Sequence, residues 1–272
     1  MEKRCSIIIP TKDKFARLYL TLKCLEPQVS EDIEVIVVFD GCSKETIAAY
    51  KEYQWAFPIV PIISEKNVGR AAARNLGLKQ AQGKTVIFLD DDRLTEKDFI
   101  KKHLAYHKGE PCVVLGERMD LKNTEEELLS LAKQDSIDKV LEIVKKKSSK
   151  EFYYNIKKIF LKNPYDKLRY IAFITGNVSI DTALLKEIQG FDEGFKGWGY
   201  EDTDLGYRLA VKGIKYIEDN SIPCYHLLHA HSRGQKSKEE LANLKYFKQK
   251  FPQDKSLQRA LAFYTLKASL RL

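Results

Sequence analysis

A chain of 272 residues, 44% apolar and 31% charged with a net charge of +8, has the length for one large α/β domain or a core domain with appendages. That balance excludes a disordered or low-complexity protein, and no apolar run reaches the roughly 18 residues of a membrane-crossing helix. The lysines alternate with glutamates along helical stretches, which suits a solvated surface open to anionic substrates; the basic-aromatic pattern of a nucleic-acid binder is missing, and no nucleic-acid partner is expected.

The apolar stretch at 7–9 is too short for a signal peptide and reads as a first strand. It opens an alternation. Strand-like runs rich in β-branched residues at 5–10, 35–39, 59–63, 85–89 and 112–116 are separated by amphipathic stretches at 13–25, 43–54, 68–81 and 95–107. This pattern predicts an α/β fold, a mixed, mostly parallel sheet flanked by helices. Ligands of such sheets bind beyond the carboxyl ends of the strands, and those ends carry Thr11, Asp40 and the run Asp90-Asp91-Asp92. His103 and His107, four apart on a predicted helix, read as surface residues. Five scattered cysteines without a C-x-x-C pair predict free thiols in a reducing compartment, hence a cytoplasmic protein.

Residues 119–165 are rich in Lys, Glu and Leu at helical spacing and predict a helical insertion. Strand and turn signals return at 173–181, followed by a helix from Asp181 to Gly190, a helix over 201–212 and a strand over 214–218. The chain then turns basic and helical: Ser237-Lys-Glu-Glu240 is a capping-box pattern, and Pro252 breaks the helical run. The last stretch, 257–272, has an apolar face expected to pack on the core, with a dimer contact or a peripheral place on the inner face of the membrane as alternatives.

The most informative stretch is 195–209, Phe-Lys-Gly-Trp-Gly-Tyr-Glu-Asp-Thr-Asp-Leu-Gly-Tyr-Arg-Leu. Glu201, Asp202 and Asp204 fall in a first helical turn, where free backbone N–H groups favour negative charge. Trp198 offers a flat amphipathic surface beside them, a combination suited to binding a sugar and taking a proton from it. The plain alternative is an ordinary acidic cap after a loop.

Six elements together resemble inverting family 2 glycosyltransferases of the GT-A fold. The later half resembles the C-terminal galactosyltransferase-type domain of chondroitin-polymerase-like and β-1,4-galactosyltransferase-like enzymes. The elements are Ile-Ile-Ile-Pro10-Thr11, Val-Val-Phe-Asp40-Gly41, Asn67-Val-Gly-Arg-Ala-Ala-Ala-Arg-Asn-Leu-Gly77, Phe88-Leu-Asp-Asp-Asp92, the 195–209 stretch, and Tyr225-His-Leu-Leu-His-Ala-His231. The resemblance covers about 4–117 and 170–230 and leaves the insertion and tail outside it.

The roles implied by the resemblance are specific. Pro10 and Thr11 touch the nucleotide, Asp40 binds the uracil ring, and Arg70 points at base or diphosphate while Arg74 and Asn75 hold the loop. Asp90 contacts the ribose, Asp91 shares a nucleotide or metal task, and Asp92 coordinates Mn2+ or Mg2+ with His226, His229 being the fallback. Asp202 is the general base and Glu201 hydrogen-bonds a sugar. Trp198 stacks on the acceptor, Gly199 and Tyr200 lie near the donor hexose, and Gly176 and Asn177 shape the sugar pocket. Relatives carry a second glycine where this chain has Tyr200.

The implied parts are 1–117 as the nucleotide-sugar half, 118–169 as a helical insertion or lid, 170–232 as the acceptor and catalytic half, and 233–272 as a helical extension. The expected partners are a UDP-sugar donor and a glycan, lipid-linked or peptide acceptor. Two other readings stay open. A sugar-phosphate nucleotidyltransferase needs a glycine-rich basic loop after the first strand, which Thr11-Lys-Asp-Lys-Phe lacks. A non-catalytic nucleotide-sugar or glycan-binding relative has no need of Asp90, Asp92 and Asp202 together.

Overall fold

The computed structural model describes residues 2–122, 125–134, 136–162, 166–228 and 233–269. Four strands, β1 (Cys5–Thr11), β2 (Ile33–Asp40), β3 (Ile59–Ser64) and β4 (Thr85–Leu89), lie parallel in the order β3-β2-β1-β4. Helices α1 (Phe15–Leu25), α2 (Lys44–Glu52) and α3 (Arg70–Gln80) return the chain between them. All of β2 is buried, and all of β1 except the half-buried Pro10, because helices cover both faces and no strand position can be polar without a partner.

The remaining elements extend the sheet and wrap it. They are β5 (Arg93–Thr95), α4 (Phe99–Leu104), β6 (Cys112–Leu121), α5 (Glu125–Lys133), α6 (Ile137–Lys147), β7 (Ser149–Lys150) and α7 (Phe152–Lys157). After two 3-10 stretches, Lys158–Leu161 and Asp166–Ala172, come β8 (Asn177–Asp181), α8 (Thr182–Glu187), α9 (Glu201–Val211), β9 (Lys215–Leu227), α10 (Arg233–Lys250) and α11 (Lys255–Ser269). The sheet continues β4-β8-β6-β9-β5, with β4–β8, β8–β6 and β9–β5 antiparallel and β6–β9 parallel. The expected mixed α/β sheet with a helical tail is what forms. On one face Leu18, Leu22, Tyr50 and Phe99 pack against Ile7, Val35 and Ile87; on the other Ala71, Leu185 and Leu205 pack against Ile8, Ile36 and Phe88.

Several local expectations change. The strand expected over 214–218 runs to Leu227, because β9 pairs with β6 in two stretches around a bulge at Gly116/Glu117 and with β5 at its far end. Strand β6 likewise continues through 117 to Leu121, and β7 pairs with it inside the region read as helical. The capping box at Ser237–Glu240 is interior to α10, which begins at Arg233; Glu239 instead accepts a hydrogen bond from a distant loop, so tertiary contact overrides the local cap signal. The start of the last segment packs on the core as expected, with Leu257 and Leu261 buried against Leu244 and Phe247. All five cysteines are free thiols. Among the described residues no helix is long and apolar enough to cross a membrane.

The histidines of the 95–107 segment are a clear correction. His103 is fully buried and His107 nearly so, because α4 lays them along the polar face of β8. Asn177, Ser179 and Asp181 alternate on that strand face. Asn177 Oδ1 and Ser179 Oγ bond the two nitrogens of His103, each at 2.9 Å, while Ser179 Oγ and Asp181 Oδ2 bond His107 at 2.7 and 3.1 Å. The Asn177 amide also donates to Glu117 O and Ile222 O, both at 2.9 Å, and so closes the bulge between β6 and β9. These hydrogen bonds are what allow a polar row inside the sheet–helix interface.

Burial pushes the His103 imidazole down to about 4, against which the Asn177 hydrogen bond works only weakly. The unfolded chain therefore binds a proton near pH 6.5 that the folded chain refuses until about pH 4. Stability from this site is full above pH 6.5 and is lost as pH falls through that window, by about 3 kcal/mol in all. Urea denaturation at several pH values checks this: His103→Gln is expected to flatten the slope between pH 6.5 and 4, and an unchanged slope refutes it. Asn177→Ala strands two carbonyls and a ring nitrogen and is expected to lose about 2–4 kcal/mol, measured by the same method.

Candidate active site

Arg74 lies at the centre of the cleft. It projects from the first turns of α3, only 4% exposed, and its guanidinium meets Asp90 Oδ1 at 3.0 Å, Glu201 Oε1 at 3.4 Å and Asp202 Oδ1 at 3.6 Å. The acidic end of β4 and the acidic first turn of α9, far apart in the chain, therefore share one cation. Burial opposes the charge of Asp90, but Arg74 together with Arg93 and Arg118 outweighs it and holds its pKa below the ordinary carboxylate range. Glu201 goes the other way: burial and the neighbouring Asp202 charge raise its pKa against the pull of Arg74. Asp202 keeps more exposure and is fixed by Thr175, whose N–H and Oγ1 donate to its two oxygens at 3.0 and 2.9 Å.

The three adjacent aspartates point to different partners. Asp91 is buried, accepts from Thr11 Oγ1 at 2.7 Å and lies 3.9 Å from Lys14; burial and the charge of Asp92 push its carboxyl up to about 7. Asp92 faces His226 Nε2 and Lys14 Nζ, each at 3.6 Å. Burial opposes its charge, but the hydrogen bond and charge of His226 hold its pKa well below the usual range. His226 in turn is kept above its ordinary value by Asp120 and Asp92, against burial and the repulsion of Arg93.

Sheet register makes this meeting. His226 is the cross-strand partner of Arg93 on β5 and of Asp120 on β6, so the residue before Arg93 and both flanking strands converge on one ring. Its Nδ1 lies 3.3 Å from Asp120 Oδ1, leaving Nε2 toward Asp92. Asp120, Glu151 and His226 each offer a ligand atom within 4.8 Å of the others. Glu151 is itself held ionised, near pKa 2, where burial is outweighed by Arg118 and Arg93.

The other expected residues border this cluster or support it. Pro10 and Thr11 end β1 beside the aspartate run. Asp40 ends β2, and its carboxylate accepts the backbone N–H of Val68 at 2.6 Å and of Gly69 at 3.1 Å, clamping the entry to α3. Arg70 opens α3 and is exposed. Asn75 holds the loop before α9 through Phe191 and Glu193. Gly176, with φ +99°, backs onto Asp90, where a Cβ would stand 2.5 Å from the carboxylate. The Asn177 side chain bonds His103 and the carbonyls at the bulge between β6 and β9. Trp198, Gly199 and Tyr200 are half-buried at the lip. His229 and His231 lie outside the described residues.

Tyr200 is the N-cap of α9 in the left-handed region, φ +70°. A tyrosine there carries strain of order 1–3 kcal/mol that glycine does not, which explains the glycine that the resembling family places here. Sequence alone misses four contributors: the central part of Arg74, and Lys14, Thr175 and Asp120. The resemblance gives Arg74 only the task of holding the loop, and Asp120 stands out only as a carboxylate between Met119 and Leu121. Lys14 and Thr175 carry no local signal.

Comparison with known proteins agrees with this geometry. A family model for glycosyl transferase family 2 matches residues 6–169, and one described as the N-terminal domain of galactosyltransferase matches 155–231. An uncharacterized glycosyltransferase, YfnE of Bacillus subtilis, is 30% identical over 96% of this chain and 74% of its own length. Chondroitin synthase of Escherichia coli is 30% identical over 81% of this chain, which spans 34% of that larger protein. In three dimensions the chain superposes on S. aureus TarS 1-349 in complex with UDP-GlcNAc with a TM-score of 0.68, at 18% identity, over 97% of this chain and 72% of that one. It superposes on the mannosyltransferase PcManGT of Pyrobaculum calidifontis, in complex with GDP-Man and Mn2+, with a TM-score of 0.61, at 16% identity, over all of this chain and 74% of that one. The architecture is therefore the GT-A fold. With the family model matched over more than half its length and the aspartate run and Glu-Asp turn brought to one cleft, the chain belongs to glycosyltransferase family 2.

Proposed function

We propose that the chain moves a hexose from a UDP-sugar to a hydroxyl of a glycan, with inversion at the anomeric carbon and Mn2+ or Mg2+ as cofactor. The observation that carries this reading is the Arg74 cluster, which sets the end of β4 and the start of α9 at one cleft. A donor motif and a candidate base thereby face each other. Further support comes from the structural relatives, which hold UDP-GlcNAc in one case and GDP-Man with Mn2+ in the other.

The residues present fit a divalent ion. Asp92 Oδ2 and His226 Nε2 stand 3.6 Å apart, a gap one ion can bridge, and carboxylate oxygen with imidazole nitrogen suits Mn2+, or Mg2+ with water completing its shell. Bound there, the ion neutralises the departing diphosphate. Residues 1–117 supply the nucleotide site in this reading: Pro10, Thr11 and Asp40 around the base, Asp90 at the ribose, Asp91 behind it and Arg70 at the rim. Residues 170–232 supply the acceptor and catalytic half, and 118–169 and 233–272 flank it.

Asp202 is the base. Thr175 aims its carboxylate, and the Arg74 guanidinium lies 3.6 Å from it. The acceptor oxygen attacks C1 from the face opposite UDP as its proton passes to Asp202, and the bond from C1 to the diphosphate oxygen breaks. Trp198 offers its ring to the acceptor, and Gly176, Gly199 and Tyr200 border the hexose. Glu201, buried against Arg74, fixes the guanidinium and reaches the sugar through its second oxygen. A lipid-linked or peptide acceptor at a membrane surface uses the same chemistry and is separated from a free glycan by assay.

Thermal unfolding with UDP, GDP, CDP and TDP, each with and without Mn2+, tests the donor site. UDP with Mn2+ at a hundred times its dissociation constant is expected to add about 2.7 kcal/mol, and Asp92→Ala to abolish the gain; a gain with another nucleotide alone refutes the UDP assignment. Asp202→Asn is expected to cut UDP release from UDP-hexoses onto p-nitrophenyl β-hexosides by about 10²–10⁴ while leaving the UDP thermal gain intact. Loss of both together would mean that Asp202 is structural.

A further inference from the structure

Helix α10 begins at Arg233, beyond both stretches matched by the family models, which end at 169 and 231. It nevertheless holds the turn that carries Trp198. Asn243, only 4% exposed, accepts the Lys196 N–H at 3.2 Å and donates to Lys196 O at 2.8 Å and Trp198 O at 3.2 Å. Glu239, one turn earlier, accepts the Trp198 N–H at 2.9 Å. Two side chains four apart on one helix face thus take both backbone groups of Lys196 and both of Trp198.

The same face continues the grip in both directions. Tyr246 donates its hydroxyl to Asp192 at 3.1 Å, and Lys250 bridges Asp192 at 2.6 Å and Asp204 at 2.5 Å. Phe195 packs its ring on Tyr246 and Phe247, with centroids 4.9 and 6.0 Å away. Gly197, at φ +70°, leaves the space that Glu239 fills: a Cβ would meet that carboxylate at 2.5 Å. Such contacts exceed what a helix needs merely to cover a core, since hydrogen bonds to an otherwise irregular loop backbone select one loop conformation.

We propose that α10 is a splint that presets the Trp198 turn for the acceptor, with Asn243 as its chief positioning residue. The inference rests on the acceptor role proposed for Trp198. The groups assigned to the nucleotide and ion lie on β1, β2, α3, β9 and the segment that follows β4, none of them on the turn, so the splint acts on acceptor handling and leaves nucleotide and ion binding alone. Release of the turn removes a preorganised surface that each acceptor would then have to reorder on binding.

The chain has two tryptophans, Trp55 and Trp198, so Trp55→Phe leaves an emission that reports the turn directly. In that background Asn243→Ala is expected to raise acrylamide quenching of Trp198 about twofold or more, as a locally opened segment would. It is also expected to raise KM for p-nitrophenyl β-hexosides about tenfold, with the UDP–Mn2+ thermal gain held to that of the parent. Asn243→Asp keeps the acceptor for Lys196 N–H and should fall between. Glu239→Ala, which removes the acceptor for the Trp198 N–H from a half-buried position, carries the test if Asn243→Ala does not fold. Unchanged Trp198 quenching in both variants, or equal loss on donor and acceptor, overturns the proposal. If the parent shows no UDP gain, the reading of function fails, and the quenching comparison still decides whether α10 holds the turn.

Discussion

The site depends on one buried cation with more carboxylates than it can neutralise. Arg74 faces Asp90, Glu201 and Asp202 and is wedged against the Phe191 ring, 5.4 Å from its centroid. A planar guanidinium can serve several carboxylates at once, where a lysine would act as a point charge. Because α3 packs tightly on β1 and β2 through Ala71, Ala73 and Gly77, the guanidinium has little freedom, and the two acidic segments are positioned by it. Such an arrangement is poor as a source of stability, since buried ion clusters repay their desolvation incompletely. Its value lies in tying two halves of the chain to one geometry.

The second constraint is register. Pairing of β9 with β5 and β6 fixes His226 opposite Arg93 and Asp120, and a one-residue slip would turn the ring to the other face. The bulge at Gly116/Glu117 lets β9 keep that register over its full length, and the Asn177 amide satisfies the carbonyls the bulge exposes. His103 then satisfies Asn177 Oδ1, and Ser179 in turn satisfies His103. The polar row under the sheet is thus part of how His226 reaches Asp92, although it lies on the far side of β8 from the substrate cleft.

Much of this is legible in the sequence, and the gaps have physical causes. Parallel strands buried on both faces write continuous apolar runs, so β1 to β4 and the polar tips at Thr11, Asp40 and Asp90 can be read directly. The far end of β9 cannot, because Asn220, Ser221 and Pro223 interrupt its apolar pattern where the bulge falls. His103 and His107 are misread because periodicity cannot tell a polar residue facing water from one facing a polar strand. Asn177 shows the related limit that a motif position gives a backbone place, not a side-chain direction. Arg74 is picked out by the resemblance as holding the loop, but its three partners come from elements 16 to 128 residues away, beyond the reach of local pattern.

The balance of charge at the cleft explains why a divalent ion belongs in the proposed chemistry. Five carboxylates, Asp90, Asp91, Asp92, Glu201 and Asp202, face Arg74, Lys14 and His226. Asp91 relieves part of the excess by holding its proton to about pH 7, and the raised pKa of His226 relieves another part by keeping its own. An incoming diphosphate still approaches carboxylates whose charge has the same sign as its own. An ion between Asp92 and His226 would take the place of the His226 proton and turn that repulsion into a bridge. The acidic run that would bind the ion and the basic residues that restrain it then serve one requirement: negative charge is concentrated only where a cation can follow.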